Sequence, residues 1–169
     1  MDASTEKIKK DVVKVLSEKK KTVFIKELKK MYLEISYFLE NTDFTTKEDT
    51  IDITEEGLGT YKVPALTISD KNGEVVSIVP IGACIIAAQG RADIVGEFGN
   101  EAFLLFTDKG GPVIKTRKKV GDKYETHKKA IFKGVDEPGW YWLESTVRSR
   151  AQKLNKELLL DLISIVNDD

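Results

Sequence analysis

Thr50-Ile51-Asp52-Ile53-Thr54 alternates polar and apolar residues one by one, the period of a strand with one covered face and one wet face. The same period runs from Asp43 to about Leu143, in stretches such as Tyr61 to Ser69, so residues 43–143 read as a mainly antiparallel sheet. Asp70-Lys71-Asn72-Gly73 supplies an Asn-Gly reversal, and Gln89-Gly90, Gly96 to Asn100 and Lys109-Gly110-Gly111-Pro112 supply further ones. These divide the region into about seven to eight strands. Val75 to Ala88 is apolar at both parities and predicts a strand in the middle of the sheet, with Pro80 and Gly82 marking a bulge or a break. Cys84 falls in this run and reads as a small buried apolar residue.

Outside the alternating region the period is helical. Ile8, Val12, Val15 and Leu16 recur at helical spacing, as do Phe24, Leu28, Met31, Tyr32, Ile35, Phe38 and Leu39. Ser17 to Lys21 interrupts the stripe and Thr22 has the chemistry of an N-cap, so residues 1–40 predict a helical hairpin, with one long bent helix as the alternative. At the other end Asn155 predicts the cap of a helix over 155–167, with Leu154 stapled onto Leu159 and Leu158, Leu159, Leu162, Ile163 and Val166 buried on the sheet. The fold class is α+β. No internal repeat or Pro/Ser-rich linker divides the chain, so 1–169 reads as a single domain.

Hydrophobic residues make up 41% and charged residues 33% of the chain, the balance of a globular protein. The first 30 residues are crowded with lysine and acid and predict no signal peptide, and no apolar run is long enough to span a bilayer. The expected location is the cytoplasm. The net charge is -1, but it is sorted into blocks. Residues 1–30 hold ten lysines against five acids, residues 31–56 one lysine against eight acids, and residues 115–133 eight Lys/Arg against two acids. A global polyelectrolyte partner is therefore not implied.

With one histidine, His127, and one cysteine, the chain predicts neither a metal site nor a cofactor. GxGxxG, GxxxxGK and GxSxG are absent from the sequence, which removes the commonest phosphate cradles and the serine-hydrolase elbow. Gly96-Glu97-Phe98-Gly99 has the spacing of a backbone-clamping GXXG loop, but it joins strands and carries acid, so it reads as a hairpin turn. Asp93, Glu97 and Glu101 near that reversal are the candidates for a carboxylate-based enzyme site. Glu48, Asp52 and Glu56 share a parity with Thr50 and Thr54 and read as a solvent face.

Three functions follow. The first is a non-catalytic protein-binding module, anchored by Trp140, Trp142, Arg148 and Arg150 and presenting Asp49, Asp52, Glu55 and Glu56 to a basic partner. The toxin-immunity type fits this by analogy of size and style. The second is a nucleic-acid-binding domain whose basic ribbon, 115–133, uses Lys115, Arg117, Lys118, Lys119, Lys123, Lys128 and Lys129, with Tyr124 for stacking. The third is the carboxylate enzyme. Trp140 and Trp142 share a strand face, so the competing role for the pair is core packing.

Overall fold

The computed structural model describes residues 3–145 and 150–168. A long helix, α1 (Ala3–Phe38), precedes five strands: β1 (Thr45–Glu55), β2 (Gly59–Asp70), β3 (Gly73–Gly82), β4 (Gly90–Val95) and β5 (Asn100–Phe106). Then come β6 (Val113–Val120), β7 (Lys123–Ala130), β8 (Gly139–Ser145), β9 (Arg150–Lys153) and α2 (Lys156–Ile165). Seven strands form one sheet in the order β1-β2-β3-β4-β5-β8-β9, every neighbouring pair antiparallel, while β6 and β7 form a separate two-stranded ribbon. The class is α+β and the main sheet has seven strands, within the expected seven to eight, with the basic stretch set apart as the two-stranded ribbon. Charged and polar residues dominate both of its faces, and its few apolar side chains, Val113, Ile114, Val120 and Tyr124, are exposed.

The helical hairpin expected over 1–40 is also corrected: α1 is continuous from Ala3 to Phe38. Ser17 to Lys21 contains no glycine or proline, and its glutamate and lysines are good helix formers. Lys21 pairs with Glu18 at 3.0 Å, and the Thr22 hydroxyl donates to the Glu18 carbonyl at 2.9 Å instead of capping a new helix. The stripe does not stop at this point. It changes face, and a change of face needs no break in the chain.

The carboxyl half of α1 lays Phe24, Leu28, Met31, Tyr32 and Ile35 on the sheet. They meet Leu66, Ile68, Val76, Ile78, Ala92, Ile94, Phe103, Leu105 and Trp140. Burying each large apolar side chain contributes roughly 1.5–3 kcal/mol, so this half of the helix is firmly held. The α2 residues Leu158, Leu159, Leu162 and Ile163 join the same core, and the Asn155 side chain accepts from the Leu158 amide at 2.9 Å as its N-cap. Alternation sends Phe106 and Tyr141 to the opposite sheet face, where they pack with Ala88, Val135 and Ala151.

In β3, Val76, Ile78 and Pro80 are buried, and the register shifts between Pro80 and Gly82 as expected. The apolar run then leaves the sheet. Cys84 is exposed, which corrects its expected burial, and Ile86 is 97% exposed. Glu55 holds this loop from across the hairpin: its carboxylate accepts the amides of Ala83 and Cys84, each at 2.8 Å, and the Tyr61 hydroxyl.

Candidate functional site

The amino-terminal half of α1 carries apolar residues that the core does not use. Val15 and Phe24 are nine residues apart, about two and a half turns, and so point to opposite sides of the helix. Ile8, Val12, Val13, Val15 and Leu16 are all exposed. Ile8, Val12, Val15 and Leu16 fall within about 100° of one another around the helix and form a patch of the kind that marks an interaction surface, while Val13 lies on the groove side. Where the helix passes the β1–β2 turn, a groove of about 440 Å³ opens, lined by Val13, Leu16, Val23, Leu58 and Cys84 with Lys19, Lys20 and Glu56 at its margins. Its floor is thus apolar and its charged margin mostly cationic.

The aromatic anchors expected on β8 belong to the interior. Trp140 is 4% exposed, stands against Phe24 with ring centroids 6.3 Å apart, and donates its indole N–H to the Glu27 carbonyl at 3.0 Å. Trp142 shares its face, is half-buried, and donates to Glu101 at 2.8 Å. Arg150 is exposed at the start of β9, and Arg148 lies outside the described residues.

The acidic block is divided. Asp49 pairs with Lys47 at 3.4 Å and Asp52 with Lys62 at 3.1 Å, both pairs on the exposed surface. Glu55 is committed to the Ala83–Cys84 loop, and Glu56 sits at the groove margin. Burial first, and then the bond to Glu55, raises the Tyr61 phenol well above its ordinary range. Sequence reasoning missed the groove because Leu58 and Cys84 reach it through the fold, although the change of face within α1 was a readable signal.

The basic ribbon is exposed at every position of both strands. Its register divides the expected cations between two faces. Lys115, Arg117, Lys119 and Lys128 fall on one, together with Tyr124 and Thr126, while Lys118, Lys123 and Lys129 fall on the other with Glu125 and His127. The Arg117 guanidinium lies over the Tyr124 ring, 5.5 Å from its centroid. The exposed His127 is 3.6 Å from Glu125.

The carboxylates proposed for catalysis do not converge. Asp93 is buried, held by the Arg91 guanidinium at 2.7 and 2.8 Å and by Asn100 at 3.2 Å, and the pairing raises Arg91 further above its already high range. Glu101 pairs in register with Ile94, so it lies on the helix-covered face, opposite to Asp93. Glu97 is exposed in the turn, where the amides of Phe98 and Gly99 donate to the Val166 carbonyl and leave no free GXXG clamp. Among the described residues there is no group of three or more His, Cys, Asp and Glu able to hold a metal ion, and no helix is long and apolar enough to cross a membrane. Comparison with protein-family models, with curated proteins and with solved structures finds no match to this chain.

Proposed function

We propose that this protein is a non-catalytic binding module that docks an acidic amphipathic segment of another protein on the amino-terminal half of α1 and the groove beside it. The observation that carries the reading is the exposed aliphatic stripe of Ile8, Val12 and Val15, turned away from the core, which Leu16 joins to the groove. An amphipathic helix seated in an apolar groove is a common recognition mode.

The acid in the partner follows from charge. Residues 3–23 contain seven lysines (7, 9, 10, 14, 19, 20, 21) against three acids (Glu6, Asp11, Glu18), a balance of four positive charges. Two of the acids are already paired, Glu6 with Lys10 and Glu18 with Lys21. A second copy of this helix would bring like charge against like charge, whereas an acidic helix would find its counter-ions around an apolar seam. Within the toxin-immunity type, this favours an acidic target over a basic nuclease. An exposed free thiol at Cys84 suits a reducing compartment, which supports a cytoplasmic location.

The test is a photo-crosslinking residue placed at Val15 in the full chain in its host cell, with the adducts sequenced. The expected adduct is one other protein joined through an acidic amphipathic segment. Adducts only with a second copy of this chain, or none above those from a crosslinker placed at Lys109, would overturn the proposal.

A further inference from the structure

The ribbon β6–β7 contributes nothing to either core, and every residue of both strands is exposed. An isolated two-stranded hairpin is marginal in water, so its sequence answers to something other than packing. It also gathers charge at a cost to itself. Lys115 stands directly opposite Lys128, and like charges in that position destabilise a strand pair. On the other face Lys118 stands opposite Glu125, the favourable combination. One face is therefore cationic without an acid, and the other is mixed.

We propose that this ribbon is an arm that enters the major groove of duplex DNA with the face of Lys115, Arg117, Lys119 and Lys128 turned inward. The groove of B-form DNA is about 12 Å wide and admits a two-stranded ribbon. Alternate residues of a strand advance about 7 Å, which matches two base steps of about 3.4 Å each. Lysines 115 and 119 flank Arg117, whose fork suits the O6 and N7 acceptors of guanine, and Tyr124 holds that guanidinium from below. Neutralising phosphates would also relieve the Lys115–Lys128 repulsion. Duplex RNA offers a deep, narrow major groove that such an arm does not fit.

The test is fluorescence anisotropy of a labelled mixed-sequence DNA duplex with the full chain at several salt concentrations. Two triple variants remove equal charge: Lys115→Gln with Arg117→Gln and Lys128→Gln on the cationic face, and Lys118→Gln with Lys123→Gln and Lys129→Gln on the mixed face. The first is expected to bind at least about tenfold more weakly, with a log-log salt slope shallower by about 2, one for each phosphate-neutralising lysine removed. The second is expected to stay within about threefold of the parent. Lys115→Arg with Lys128→Arg keeps both charges and should retain binding, which separates lost contacts from a lost ribbon. Equal losses in both triples, absence of duplex binding by the parent, or equal affinity for duplex RNA or polyglutamate would overturn the proposal.

Discussion

Val15 and Phe24 lie on opposite sides of one continuous helix, Phe24 wholly buried and Val15 67% exposed. The same element thus fastens the fold with one end and offers an unpaired apolar surface with the other. Substitution should separate the two roles. Phe24→Ala is expected to cost about 3–5 kcal/mol of stability, as for other buried aromatics. Val15→Lys should stay within about 0.5 kcal/mol of the parent. Urea unfolding of the two variants checks both.

Gly90 gives the Phe24 ring its room. A methyl group at this position would come within 2.7 Å of the ring edge, so Gly90→Ala must push Phe24 into the core. A cost of about 1–3 kcal/mol is expected. Combining it with Phe24→Leu should show strong coupling, because the smaller side chain relieves the overlap. Additive losses in the double-mutant cycle would contradict the packing described.

Glu55 closes the loop that forms one side of the groove. Glu55→Ala removes the acceptor for two backbone amides and is expected to cost about 1–3 kcal/mol, with the loss concentrated at residues 83–88. Faster hydrogen exchange at Ala83 and Cys84, with exchange in β4 and β5 unchanged, is the expected pattern.

Tyr61 gives the pH dependence its sign. Its folded value is raised above the ordinary 10.0, by burial first and then by the bond to Glu55, so the folded state holds the proton more tightly than the unfolded chain. The contribution is complete below about pH 10 and is lost as pH rises through the folded value. Absorbance titration at 295 nm of the parent against Tyr61→Phe should show no difference near pH 10 while the protein is folded. A tyrosinate step near pH 10 that disappears in Tyr61→Phe would contradict the assignment.

The sheet and the α2 cap were legible because their signals are local: alternation along the strands, Asn-Gly at a reversal, Asn155 three residues before the amide it caps. The long helix was misread because a stripe that moves to another face resembles a stripe that ends. Cys84 looked buried because its neighbours are apolar, yet the irregularity at Pro80 and Gly82 carries the run off the sheet. Glu55 meets Cys84 from 29 positions away in the chain, and no local pattern announces such a contact. Trp140 and Trp142 were placed on one face by alternation alone, but the burial of Trp140 depends on α1 crossing that face, which only the fold supplies.

The docking surface proposed for the exposed half of α1 stands or falls on its apolar side chains. The most direct test is the affinity for the crosslinked partner of a Val15→Gln and Leu16→Gln double variant, with its melting transition recorded on the same preparation. An unmoved transition and affinity weaker by at least about tenfold are expected, the loss of anchor side chains from an apolar seam. Full affinity in a folded double variant would contradict it.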